Sequence, residues 1–179
     1  MLWYKADVSR NASSPGARRR RSPFRDGRHD HQRCIDEALE RAVALCRGRA
    51  ARFTELRRRV LEIVWRSHAP IGAYDILQLL QAERRASAPP TVYRALEFLI
   101  EQGLVHRLDS LNAFVGCAHP ERRHVSEFLI CTACARVAEL DDARLLSAVE
   151  DSAAAAGFAV RRLTIELQGL CPRCAEVAA

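Results

Sequence analysis

The chain has 179 residues, 49% of them apolar, enough for one or two small domains with cores of their own. No apolar run approaches the roughly 20 residues that span a bilayer. Arg18–Arg21 precedes no apolar stretch of the kind a secretory signal carries, so a cytoplasmic chain with no membrane partner is expected. Net charge is +6, but residues 1–33 hold nine basic and three acidic groups, while the remainder holds nineteen of each. Bulk charge therefore gives no argument for nucleic acid, and any such claim must rest on local pattern.

Residues 1–33, rich in Arg, Ser, Gly and Asp and without periodicity, read as a disordered basic extension, either dispensable or adding non-specific phosphate contacts. Apolar spacing predicts helices over 34–48, 53–67, 73–83 and about 90–102. Pro70 and Gly72 separate the second from the third, and Ala88-Pro-Pro90 the third from the fourth. Proline suits the first turn of the fourth helix, and Gly103 stops it. Leu104–Leu108 and Ala113–Cys117 then read as short strands joined by a turn at 109–112. Helices followed by a hairpin are the order of a winged helix-turn-helix, predicted over 34–109. In that fold the last helix enters the major groove and the hairpin is the wing. The outward residues of that helix include Thr91, Tyr93 and Arg94. Arginine can read guanine, and threonine and tyrosine can bond phosphate; an amphipathic helix with a solvated arginine would look the same.

Residues 110–123 read as a hinge and 124–179 as a second, smaller α/β unit. Strands are predicted over 125–131 and 136–140, an Ala-rich helix over 141–156 ended by Gly157, and a strand over 158–168. A unit of about 55 residues often needs a staple. Cys131-Thr-Ala-Cys134 and Cys171-Pro-Arg-Cys174 supply four thiols in two clamps suited to tetrahedral zinc. The 36 residues between the clamps exceed the gap of a plain zinc ribbon, about 15–20. They fit a small domain whose first and last elements are tied together. A redox Cys-x-x-Cys protein would need only one pair. A second set, His106, Cys117, His124 and Glu139, with His119 as a spare, surrounds the hinge. Its mixed nitrogen, sulfur and oxygen donors are zinc-like, whereas iron(II) and manganese sites more often use imidazole and carboxylate. Cys34 and Cys46 read as apolar helix positions.

One enzymatic reading is a zinc hydrolase or deaminase. His119-Pro-Glu121 does precede Cys171-Pro-Arg-Cys174, but Leu170 stands where a deaminase has proline, and Cys131 and Cys134 would have no role. A non-enzyme that takes no small-molecule substrate is therefore expected.

The stretch Pro89-Pro-Thr-Val-Tyr-Arg-Ala-Leu-Glu-Phe-Leu-Ile-Glu-Gln-Gly-Leu-Val-His106, with Ala73-Tyr-Asp75 and the two cysteine pairs, resembles the ferric uptake regulator family, most closely its zinc-responsive branch. The resemblance covers about residues 34–177. It implies a winged-helix domain followed by a dimerisation domain, and a homodimer that binds a palindromic operator when metal is loaded. It implies two zinc ions per chain. One would be structural at Cys131, Cys134, Cys171 and Cys174, and one regulatory at His106, Cys117, His124 and Glu139. Tyr74 and Arg94 match DNA contacts, with Thr91 and Tyr93 in the shared helix motif. The function implied is repression of zinc uptake genes. An iron-, manganese- or peroxide-sensing member is the alternative. Three departures stand out: Thr54-Glu-Leu-Arg57 where the family commonly has Thr-Pro-Gln-Arg, a loop between Cys117 and His124 shorter by one residue, and Arg122-Arg-His124 in place of a His-rich run.

Overall fold

The computed structural model describes residues 23–24, 30–66, 69–83, 88–122, 126–140 and 142–178. Expectations for the extension fall almost wholly outside this range, as does His124. Helix α1 (His31–Gly48) begins at Asp30, whose carboxylate accepts from the Gln32 and Arg33 N–H groups at 3.0 and 3.3 Å. Helix α2 (Glu55–Trp65) is capped by Thr54, which accepts from the Arg57 N–H at 3.4 Å. Strand β1 (Ile71–Gly72) leads into α3 (Ala73–Ala82), and α4 (Pro89–Glu101) opens on its two prolines. The α4 end shows why Gly103 is needed. Its φ is +70°, and the Leu104 and Gly103 N–H groups reach back to the Leu99 and Ile100 carbonyls at 2.8 and 2.9 Å.

Strands β2 (Val105–Leu108) and β3 (Ala113–Gly116) form the wing, and β1 adds to β3 to give the sheet order β1-β3-β2. Side chains alternate across this hairpin. Val105 and Phe114 join the large core made by the four helices, with Val60, Ile76, Leu80, Val92, Leu96 and Leu99. Leu108 and Val115 instead join Phe128 and Ile130 in a second, smaller cluster. The wing thus belongs to both cores. Gly116 sits where it does because the Trp65 indole lies against it; any Cβ there would overlap the ring.

The C-terminal sheet has the order β5-β4-β6, from β4 (Ser126–Cys131), β5 (Val137–Leu140) and β6 (Thr164–Gly169). β4 and β5 are antiparallel neighbours; β4 and β6 are parallel, joined through α5 (Ala143–Ala155) in the crossover. α5 buries no residue within the chain. The sequence predicts strand from residue 158, but the observed strand begins at Thr164, which pairs with Ser126, the first described residue of β4. Helix α6 (Pro172–Ala178) was not expected; seven residues are too few to show a helical period.

Candidate metal centres and nucleic-acid interface

The first centre is built by sheet register. Cys131 ends β4 and pairs with Gly169 at the end of β6, so the turn carrying Cys134 meets the segment that carries Cys171 and opens α6 with Cys174. The turn is tight: Ala135 takes φ +56°, and its N–H bonds the Cys131 carbonyl at 2.9 Å. One sulfur from each cysteine lies within 4.8 Å of the other three. Cys134 and Cys171 are 3.8 Å apart between sulfurs. Four sulfurs about 2.3 Å from a tetrahedral ion would be spaced by about 3.8 Å, so the donor set fits zinc. The Cys171 N–H donates to Cys131 Sγ at 3.3 Å, and this bond first of all brings the Cys131 thiol down to about 6. Cys174 is pushed up to about 12, chiefly by hydrogen bonding with the thiols of Cys171 and Cys134. One thiolate is thus favoured among four sulfurs, and a dication supplies the charge the others need to ionise.

The second centre straddles the two cores. His106 comes from the middle of β2, Cys117 from just beyond β3, and Glu139 from β5, and their ligand atoms lie within 4.8 Å of one another. His106 Nε2 stands 3.2 Å from Glu139 Oε1. The Ala118 N–H donates to Glu139 Oε2 at 3.3 Å. Phe128 sets the His106 ring from below, edge-on, with centroids 5.3 Å apart. Cys117 is only 2% exposed. Burial first, and then the Glu139 charge, pushes its thiol up to about 12, while a hydrogen bond from the His119 backbone pulls the other way. A buried thiol, an imidazole and a carboxylate converging in this way suit a zinc-like ion. His119 itself is half exposed and stands 3.6 Å from Glu121 through Nδ1, apart from the three converging ligands. The backbone donors at 118 and 119 and the supporting Phe128 carry no motif by which the sequence would reveal them.

The predicted DNA-contacting residues lie on the two helices of the helix-turn-helix. Tyr74 opens α3 and is 67% exposed. Thr91, Tyr93 and Arg94 occupy the first half of α4, whose other face buries Val92, Ala95, Leu96 and Leu99. Tyr93 and Arg94 are exposed and Thr91 is half-buried. Phe98 is covered by Arg57, whose guanidinium lies 3.5 Å from the ring centroid, so this arginine braces α2 against α4.

A winged helix joined by its wing to a small mixed sheet, with a four-thiol cluster inside that sheet unit and a His-Cys-Glu cluster at the junction, defines a metal-binding winged-helix protein of the transcription-regulator type. The chain belongs to the ferric uptake regulator family, which residues 49–168 match. It is 40% identical over 144 residues to the zinc uptake regulation protein of Escherichia coli (strain K12), covering 80% of this chain and 84% of that one. Among solved structures it resembles a zinc uptake regulator complexed with zinc and DNA, at 39% identity and TM-score 0.76, covering 80% of this chain and 97% of that one. It also resembles holo XcZur, at 41% identity and TM-score 0.72, covering 79% and 99% of the two chains.

Proposed function

We propose that this chain is a zinc-responsive, sequence-specific repressor of zinc uptake genes that binds palindromic operators as a homodimer, in the cytoplasm, when its junction site is loaded. The observation that carries the reading is the origin of the junction ligands. His106 and Cys117 belong to the wing, and Glu139 to the C-terminal sheet, yet their ligand atoms gather within 4.8 Å. A solved relative at 39% identity is a zinc uptake regulator complexed with zinc and DNA, which supports zinc as the ion and DNA as the partner. His124 completes the set in this reading.

The physical consequence is control of geometry. Operator half-sites demand one separation of the two recognition helices, fixed by the helical repeat of DNA. Residues that close around one ion from both sides of the junction fix the wing against the dimer core, selecting the conformer that fits. A hundredfold gain in operator affinity needs about 2.7 kcal/mol of coupling, and operator DNA must raise zinc affinity by the same factor. The four-cysteine cluster lies wholly within the C-terminal unit and in this reading holds its first and last strands together. The dimer reading is supported by what that unit leaves uncovered: α5 buries nothing, and Phe158, Val160, Leu167 and Leu170 are exposed. Tyr74, Thr91, Tyr93 and Arg94 are the proposed DNA contacts. Among the described residues no helix is long and apolar enough to cross a membrane.

The test is operator binding titrated against buffered free zinc, with metal content measured on the same sample. Two zinc ions per chain, one of them exchangeable and required for DNA binding, is the expected result. One inert zinc with DNA binding indifferent to chelation contradicts it.

A further inference from the structure

We infer that Glu166, which belongs to neither metal cluster, is a latch that holds the wing turn against the C-terminal sheet and sets how much zinc is needed to close the junction site, an inference that rests on the sensor reading above. The C-terminal sheet presents one row of side chains to the wing. Glu139 on β5 pairs with Phe128 on β4, and Phe128 pairs with Glu166 on β6. Cross-strand partners project from the same face of a sheet. The row therefore reads carboxylate, phenyl, carboxylate, and each member meets a different part of the hairpin.

At one end Glu139 meets His106 at 3.2 Å. In the middle Phe128 packs with Leu108 and Val115 and lies edge-on to the His106 ring. At the other end Glu166 accepts two consecutive backbone N–H groups of the wing turn. Oε1 takes the Asp109 N–H at 2.7 Å and Oε2 the Ser110 N–H at 3.1 Å. Both carboxylate oxygens are thus engaged by the backbone of the other core, across 57 and 56 residues of sequence. An ionised acceptor makes these bonds stronger than neutral ones. A solvent-facing turn would give those two donors to water, so local turn chemistry does not call for a carboxylate there. The nearby Arg162–Asp109 pair, 3.7 Å apart and well exposed, adds little.

The two ends of the row act on one equilibrium in different ways. The Glu139 end takes one wing N–H of its own, from Ala118 at 3.3 Å, but it also stands with His106 and Cys117 as a ligand, so its hold on the wing depends on the ion. The Glu166 end needs no metal, so it raises the fraction of molecules already closed. Apparent affinity for an ion that binds the closed form scales with that fraction. Loss of Glu166 should therefore raise the zinc requirement while leaving the fully loaded state able to bind DNA. A merely structural residue would lower the plateau instead.

The experiment uses the full chain with Glu166→Ala and Glu166→Gln, and two readouts. Amide hydrogen exchange at Asp109 and Ser110 reads the latch directly. Binding to a DNA duplex selected by the wild-type chain, in zinc buffers, reads its consequence. In Glu166→Ala both amides should exchange faster, and half-maximal binding should need about tenfold more free zinc, equivalent to about 1.4 kcal/mol. The plateau should be unchanged, and Glu166→Gln, which keeps one acceptor oxygen, should fall between. Unchanged exchange, an unshifted zinc midpoint, or a lowered plateau in both variants would overturn the inference. A wild-type chain indifferent to zinc would overturn the sensor reading instead, and the two amides would still decide whether the latch exists.

Discussion

The four-cysteine cluster and the junction cluster gather their ligand atoms equally closely, yet they sit differently in the molecule. Cys131, Cys134, Cys171 and Cys174 all belong to one sheet unit, tied where β4 and β6 end together. His106 and Cys117 ride on the wing, while Glu139 is fixed in the other sheet. Ligands drawn from one folding unit add their binding energy to the stability of that unit. Ligands drawn from two units add it to their relative placement, which is what a switch needs.

The largest expected effect follows from breaking the first cluster. Structural zinc in small zinc-finger domains is worth about 10–16 kcal/mol at pH 7, as large as a whole domain's usual stability of about 5–15. Cys131→Ser should therefore lose C-terminal structure and dimerisation, measured by circular dichroism and size-exclusion chromatography; a dimeric, fully folded variant would remove the structural role. Cys117→Ser should leave a folded dimer but abolish the zinc response, a loss of about a hundredfold or about 2.7 kcal/mol in operator affinity. Retained zinc dependence in that variant would break the distinction between the clusters.

Smaller changes sharpen it. Gly116→Ala forces a methyl into the Trp65 indole beside the junction without touching a ligand. Overpacking of this kind costs about 1–3 kcal/mol, which should appear as a lowered melting temperature of the winged-helix part with four-cysteine zinc retained. An unchanged melt would mean that Trp65 moves aside freely. At the output end, Arg94→Ala should cost about 1–3 kcal/mol on the cognate site and relax sequence preference there. An equal loss on all duplexes would make Arg94 a phosphate contact only.

The two clusters also differ in how far the sequence reveals them. The cysteine pairs are legible because each clamp is a local spacing, and the helices and wing because their periods and breakers are local too. Gly103 and Gly157 announce their helix ends, and both take φ +70°. The junction cluster is harder, since Cys117 and Glu139 are 22 positions apart and meet only through sheet register. His106 and Glu139 could be proposed from residue type and family resemblance, but their 3.2 Å approach depends on how the wing lies on β4 and β5. Glu166 is hidden altogether: in the sequence it is an ordinary polar position between Ile165 and Leu167. Its partners are backbone N–H groups, which carry no residue signature. Trp65 and Gly116 are hidden for a related reason, because a close approach between a ring and a backbone leaves only a glycine in a strand to mark it.

Stepwise chelation in a single titration tests most directly whether one cluster holds the fold and the other switches it. Zinc content, circular dichroism and operator binding would be followed together as chelator strength rises. Removal of the first zinc should abolish operator binding with secondary structure and dimer intact, and removal of the second should unfold the C-terminal unit. Loss of structure together with the first zinc, or operator binding that survives it, would contradict the division of roles.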